Sequence, residues 1–140
     1  MRAGLERLIE QGAESPFYKL LDMKIEEVQN DYARLSIEIC EKHLQFLKTV
    51  HGGVIAALAD SAAAWAAISV SNPNSIAVTV EMKINFLRPV SSGKLTAEAR
   101  NIHKGSKIFV SDVDVKNGVG ELVAKALITY YLVQTTREKG

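Results

Sequence analysis

The sequence has one cysteine, three prolines and almost no net charge. The lone Cys40 excludes an internal disulfide and any cluster of paired cysteines around a metal, and it favours a reducing, cytoplasmic setting. A formal charge of +1 provides no excess field to attract nucleic acid or an anionic membrane, so we expect neither as a partner. Residues 1–16 alternate charged and apolar types and lack the continuous apolar stretch of a signal peptide.

Long apolar runs and the common catalytic motifs are also missing. The longest apolar region, residues 54–70, is interrupted by Asp60 and Ser61 and is short for a membrane span. The nucleophile-elbow, dinucleotide-binding, phosphate-loop and zinc-helix motifs do not occur. The histidines are too dispersed to suggest a metal site, and Cys40 with His43 is typical of a strand end followed by a loop, so we expect no metal.

Length and composition indicate one globular domain. With 140 residues, of which 47% are hydrophobic and 24% charged, the chain can bury roughly two thirds of its unfolded surface. We therefore expect a single domain over residues 1–140. Its beginning, residues 1–22, is predicted to be helical because Leu5, Leu8 and Ile9 lie at helical spacing.

The rest of the pattern predicts an α+β fold. Residues 33–39 alternate apolar and polar side chains and are expected to pair with 24–29 across a turn, whereas the alanine-rich stretch 53–70 is the one long helix. Four strand-like segments follow: 76–86, 93–104, 106–116 and 120–134. The breaks between them are short, which implies antiparallel neighbours. An antiparallel sheet with one helix on one of its faces is the simplest packing.

The stretch "HGGVIAALAD", residues 51–60, carries the strongest chemical signal. Gly52 and Gly53 at a helix start let a ligand approach the backbone, where free N–H groups present positive potential to an oxygen that is gaining charge. Asp60 then places a carboxylate in an apolar helix, which is costly unless the carboxylate has hydrogen-bond partners or a catalytic role. A plain loop-to-helix turn and a structural aspartate are the competing interpretations.

His51 and Asp60 cannot meet within one chain. They are nine positions apart, which on an α-helix is roughly 13 Å of rise and about half a turn out of phase. If both belong to one site, a second copy must bring Asp60 of one subunit toward His51 and Gly52 of the other, as two antiparallel helices at a twofold axis would do. The spacing therefore favours a dimer.

Four segments together resemble a known family. "HGGVIAALAD", "VTVEMKINFLRPV", "GKLTAEARNIHKGSK" and "GELVAKALITYYLV" occur in the order found in hotdog-fold acyl-CoA thioesterases of the phenylacetate-pathway (PaaI-like) family. The resemblance covers residues 33–133, most of the chain. It implies the hotdog fold, in which an antiparallel sheet wraps around one long helix. It also implies an acyl-CoA thioester hydrolase that needs no metal or redox cofactor and that forms a homodimer or a dimer of dimers.

The resemblance also implies roles for individual residues. Asp60 matches the catalytic carboxylate, acting as nucleophile or as general base on water, and Gly52 matches the glycine whose N–H polarises the thioester carbonyl. His51 matches the histidine that orients this turn. Thr79 matches a serine or threonine that helps to place the water in some members, although strand alternation puts it on the polar face of 76–86.

Two positions before His51 depart from the family pattern. Gln45 stands where many members have asparagine, and Lys48 stands where they have glycine. Gln45 keeps the amide on a longer arm, which either holds the same oxygen or marks altered chemistry. Two alternatives therefore stay open: a hotdog hydratase or dehydratase, which would use a histidine beside an acid, and a non-catalytic acyl-CoA sensor.

Coenzyme A is expected as part of the substrate. Its phosphates need cations or backbone N–H groups even on a nearly neutral protein. The candidates by residue type and by family position are Arg88, Lys104, Gly105, Ser106 and Lys107. Solvated loop charges are the competing interpretation of these residues. Neither Trp65 nor Phe46 identifies the acyl group.

Overall fold

A computed structural model describes residues 3–72 and 74–134. Two short helices open the chain and one long helix interrupts the strands. The elements are α1 (Ala3–Ala13), α2 (Pro16–Leu21), β1 (Met23–Gln29), β2 (Tyr32–Glu38), a 3₁₀ turn (Glu41–His43), α3 (Gly52–Ser69), β3 (Ser75–Phe86), β4 (Lys94–Lys104), β5 (Ile108–Lys116) and β6 (Leu122–Gln134).

The six strands form one antiparallel sheet in the order β1-β2-β4-β5-β6-β3. Helix α3 lies against one face of this sheet and contacts all six strands. This confirms the predicted α+β architecture, an antiparallel sheet around one long helix. The predicted pairing of the first two strands is also confirmed, with Val28 opposite Ala33 next to the turn.

Helix α3 packs closely against the sheet because most of its side chains are small. Its alanines let the sheet approach the helix backbone closely, and Leu58, Ala62 and Ala66 are fully buried in the core. By length and composition α3 could cross a membrane, but 56% of its 18 residues are buried inside the protein. The apolar run is therefore the core helix of this domain.

The N-terminal helices pack on the outer part of α3. A Cβ on Gly12 of α1 would lie 2.2 Å from Cζ2 of Trp65, so this close approach to the indole requires glycine. The Trp65 indole N–H in turn donates to the hydroxyl of Tyr18 in α2, at 3.0 Å. Helix α1 continues through Gly12 and ends at Ala13.

Strand β3 contains a β-bulge that the sequence pattern does not reveal. Its register with β6 shifts between Thr79 and Glu81, so that Val80 is the extra residue. The bulge reverses the phase of the strand: Ala77 and Thr79 face α3 before it, and Met82 and Ile84 pack on the core after it. The prediction of one unbroken apolar face over 76–86 was therefore wrong, as was the prediction that Thr79 shares a face with Glu81.

β3 is also an edge of the sheet and exposes apolar side chains there. Ile76, Val78, Val80 and Phe86 are between 44% and 59% exposed. Along its outer side this strand of 12 residues presents backbone N–H and C=O groups that no other strand of the described chain contacts. A long apolar edge of this kind is a template for pairing with another strand.

Candidate functional site

Asp60 lies half-buried in the middle of α3, where two hydroxyl groups hold its carboxylate. The Thr79 hydroxyl donates to Oδ1 at 2.9 Å and lies 3.2 Å from Oδ2. The Tyr130 hydroxyl lies 2.8 Å from Oδ1 and 2.9 Å from the backbone oxygen of the same aspartate. The carboxylate in the apolar helix is thus compensated by hydrogen bonds from β3 and β6.

Tyr130 was missed by reasoning from the sequence. It lies directly opposite Thr79 on β6 and is only 4% exposed. Burial, followed by the negative charge of Asp60, raises the pKa of the Tyr130 phenol. Alternation along β6 could have placed Tyr130 on the inner face, but nothing in the sequence pairs it with Asp60.

The first turn of α3 presents a free backbone donor. His51 is the N-cap: its Nδ1 accepts from the N–H of Gly53 at 2.8 Å, and its carbonyl oxygen accepts from the N–H of Val54 at 2.9 Å. Within residues 3–72 and 74–134, no acceptor is found for the N–H of Gly52. His51 therefore orients the turn and leaves one N–H open at the positive end of the helix.

A cavity of about 340 Å³ lies beside this first helical turn and is lined in part by Gly52. The residues that line it are Thr49, Val50, Gly52, Ile55, Phe86, Leu87, Arg88, Pro89 and Val90. The ring of Phe86 packs against Gly52, and a Cβ on this glycine would lie 3.3 Å from its Cζ. Arg88 reaches the same cavity and pairs with Glu121 at 3.3 Å, with both side chains about half exposed.

Gly52 and Asp60 are separate half-sites in one chain. They are eight positions apart in the helix, which corresponds to about 12 Å of rise. Gly52 lies beside Phe86 at the end of β3, whereas Asp60 lies beside Thr79, before the bulge. No single thioester group could contact both within one subunit.

The loop before α3 uses its polar groups internally. The Gln45 amide donates to the hydroxyl of Thr49, and its oxygen accepts from the N–H of Leu47 at 2.5 Å. Both polar atoms of the Gln45 side chain thus have hydrogen-bond partners within the loop. Lys48, which stands where the family has glycine, has a φ of 67° and forms an exposed ion pair with Glu41. The left-handed backbone explains why glycine suits this position.

His43 anchors the same loop to α2. It is fully buried, its Nδ1 accepts from the N–H of Cys40 at 3.0 Å, and its Nε2 lies 2.7 Å from the carbonyl oxygen of Leu21. Asp22, Cys40 and His43 bring possible metal-ligand atoms within 4.8 Å of one another. Both imidazole nitrogens are already engaged, so the histidine has no lone pair free for a metal.

The turn between β4 and β5 lies far from Arg88. Lys104 pairs with Asp31 at 2.8 Å, and Gly105, Ser106 and Lys107 form the turn itself. The carbonyl oxygen of Lys107 accepts from Leu132 near the end of β6, whereas Arg88 donates its backbone N–H to Val123 near the start. Since these two contacts are nine residues apart on β6, the rise of the strand places Arg88 about 30 Å from the turn 105–107.

Comparisons with known proteins agree with the fold. Residues 47–124 match the model of the Thioesterase superfamily. A Saccharolobus solfataricus protein named as an esterase is 33% identical over 118 residues, or 84% of each chain. A thioesterase structure from Haemophilus influenzae is 26% identical with a TM-score of 0.87, covering 97% of this chain and 94% of that one. The PaaI protein of the phenylacetic acid degradation operon of Escherichia coli is 25% identical with a TM-score of 0.85, covering 95% of each.

A relative with a more specific name is 1,4-dihydroxy-2-naphthoyl-CoA hydrolase from Listeria monocytogenes. It is 29% identical over 103 residues, which cover 74% of this chain and 84% of the relative. Together, these matches confirm the resemblance that the sequence motifs indicated.

Proposed function

Because this chain belongs to the Thioesterase superfamily, we propose that it hydrolyses the thioester of an acyl-CoA to a free acid and coenzyme A. The observation that carries the proposal is the pair of groups on α3: the hydrogen-bonded carboxylate of Asp60 and the free N–H of Gly52. A carboxylate can activate water or attack a carbonyl carbon, and a free helix N–H can stabilise the oxyanion that results. The relatives named as a thioesterase and a CoA hydrolase support the same chemistry.

Two routes use these groups with water as the only other reactant. In the first, Asp60 takes a proton from water while the water oxygen bonds to the thioester carbon, and the carbonyl electron pair moves to the oxygen beside Gly52. The C–S bond then breaks, and the proton passes from Asp60 to the thiolate of coenzyme A. In the second, the carboxylate oxygen itself bonds to the carbon and the C–S bond breaks, so that the thiolate leaves. Water then hydrolyses the mixed anhydride to the free acid and the Asp60 carboxylate, and the proton released passes to the thiolate. Neither route needs a metal or redox cofactor.

The proposed site is shared between two subunits, since one chain keeps Gly52 and Asp60 about 12 Å apart. The exposed edge strand β3 offers the contact. If β3 pairs antiparallel with the β3 of a second copy, the first half of one strand, which contains Thr79, approaches the second half of the other, which ends at Phe86. That arrangement would bring Asp60 of one subunit toward the partner's first helical turn. We therefore expect a homodimer, or a dimer of dimers, in solution.

The same pairing bears on coenzyme A. Arg88 and the turn 105–107 lie at opposite ends of one sheet, so they would approach one substrate only as residues of two subunits. Arg88 is the stronger phosphate candidate because it lines the cavity around Gly52. Its pair with Glu121 is about half exposed and is therefore weak enough to open for a phosphate. Lys104 would have to leave Asp31.

The substitution Asp60→Asn tests the chemistry. It keeps the size of the side chain and an oxygen for the two hydroxyls but removes the charge, so kcat should fall by roughly a hundredfold or more while the fold persists. Asp114→Asn is the matched control, because this aspartate pairs with Lys125 on the sheet surface and should not affect turnover. Thiol release from short, long and aryl acyl-CoAs measures activity and acyl preference together, and hydration of enoyl-CoA is assayed beside it. A folded Asp60→Asn variant with near-normal kcat would refute the mechanism.

The assembly has its own test. Light scattering at micromolar concentration should show no species smaller than a dimer. A monomer that hydrolyses acyl-CoA would rule out the shared site while leaving the hydrolase assignment intact. The cytoplasmic location remains a prediction that rests on the single cysteine.

A further inference from the structure

The two carboxylate oxygens of Asp60 differ in the hydrogen bonds that they accept. Tyr130 lies 2.8 Å from Oδ1, and the nearer contact of Thr79, at 2.9 Å, is to the same oxygen. Among residues 3–72 and 74–134, the one contact found for Oδ2 is the longer one to Thr79, at 3.2 Å. Two donors thus occupy Oδ1 and leave Oδ2 as the less engaged oxygen of the carboxylate.

Tyr130 is well placed to act as a fixed support. Its ring is buried on the inner face of β6, and its hydroxyl also lies 2.9 Å from the backbone oxygen of Asp60, so one group contacts both the side chain and the helix backbone. Because burial and the neighbouring carboxylate raise the pKa of its phenol, Tyr130 remains a hydrogen-bond donor throughout the neutral range.

We propose that Tyr130 is a positioning residue for the reaction: its hydroxyl, together with that of Thr79, holds Oδ1 of Asp60 and thereby presents Oδ2 as the oxygen that takes the proton or attacks the thioester. This inference rests on the proposed function. Tyr130 acts through Asp60, because in the part of the chain that the structure describes its hydroxyl has hydrogen bonds only with Asp60 and the neighbouring Thr79.

The substitution Tyr130→Phe removes the hydroxyl and keeps the ring in the core. We expect kcat to fall about tenfold with KM changed less than about twofold, since the lost bond orients a reacting group and binds no part of the substrate. Tyr131→Phe is the matched control, because this neighbour lies on the same strand but on the opposite face, across from Val78. At the second donor, Thr79→Ser should retain kcat and Thr79→Val should lower it.

A second readout does not depend on turnover. At neutral pH the ¹³C chemical shift of the Asp60 carboxyl carbon should change in Tyr130→Phe and stay in place in Tyr131→Phe, because the carboxylate loses a hydrogen-bond donor only in the first variant. An unchanged chemical shift in Tyr130→Phe overturns the contact. A changed chemical shift with unchanged kcat, beside an inactive Asp60→Asn variant, overturns the positioning role alone. An active Asp60→Asn variant overturns the proposed function and this role together.

Discussion

Replacing Gly52 with alanine tests whether the first turn of α3 receives the thioester. The new Cβ would lie 3.3 Å from Cζ and 3.4 Å from Cε1 of Phe86, which is slightly too close. The Phe86 side chain is 52% exposed, so its ring can move aside at little cost. Alanine also favours helix over glycine by up to about 1 kcal/mol. We therefore expect the free energy of unfolding to change by less than about 1 kcal/mol.

Activity should respond far more strongly to the same methyl group. The methyl group would project toward Phe86, into the cavity in which we expect the thioester carbonyl oxygen to accept a hydrogen bond from Gly52. A displacement of a bound reactant by about 1 Å typically costs about a hundredfold in rate. We therefore expect kcat/KM for acyl-CoA to fall by about a hundredfold in a protein of nearly unchanged stability.

Thiol release and urea denaturation on one preparation measure both quantities. Gly4→Ala is the control for the general effect of alanine in a helix, because a Cβ on Gly4 in α1 meets nothing within 4 Å. This control should keep full activity. If a stable Gly52→Ala variant also keeps normal kcat/KM, the N–H at this turn does not stabilise the oxyanion, and the argument from the free donor is wrong.

His51→Ala should lower the free energy of unfolding, measured by urea denaturation, by about 1 kcal/mol because it removes the helix cap. His51→Asn supplies a capping oxygen and should restore most of that loss. Lys48→Gly should stabilise the protein by about 0.5–1 kcal/mol by relieving the backbone at φ 67°, and Lys48→Ala, which removes only the exposed ion pair, should not. Arg88→Gln should raise KM for acyl-CoA with kcat nearly unchanged, and an unaltered KM in this variant would exclude Arg88 from phosphate binding. Lys104→Gln, which loses the ion pair with Asp31, should mainly lower the melting temperature.

The helices and strands could be predicted because their signals are local. The predicted helix 53–70 and the three predicted C-terminal strands agree with α3, β4, β5 and β6 to within two residues at each observed boundary. Small or apolar residues on nearly every side of the helix predict that it is buried, and alternation predicts strands that are covered on one face. The chemistry at Gly52 and Asp60 was visible for the same reason, since glycines before a helix and a carboxylate within it are local departures from the pattern.

The direction of Thr79 could not be predicted because a bulge is decided by two strands at once. The segment around Val80 contains no glycine and keeps perfect alternation, so nothing in β3 itself marks the extra residue. Tyr130 was missed for a related reason: it contacts Asp60 from 70 residues away. The polar partner of a buried carboxylate depends on which strands become neighbours, and that order emerges only when the sheet is complete.

The bulge in β3 connects the orientation of Asp60 with the assembly of the site. Thr79 points toward α3, and Met82 and Ile84 pack on the core. These residues can share the inner face only if the strand changes phase between Thr79 and Met82, and the extra residue Val80 provides that change. A bulge is tolerated at an edge because only one ladder of hydrogen bonds has to adapt to it. That edge is also the surface on which a second copy would supply its free helix N–H. The hydroxyl that orients the carboxylate and the contact that would complete the site therefore depend on the same irregularity in one strand.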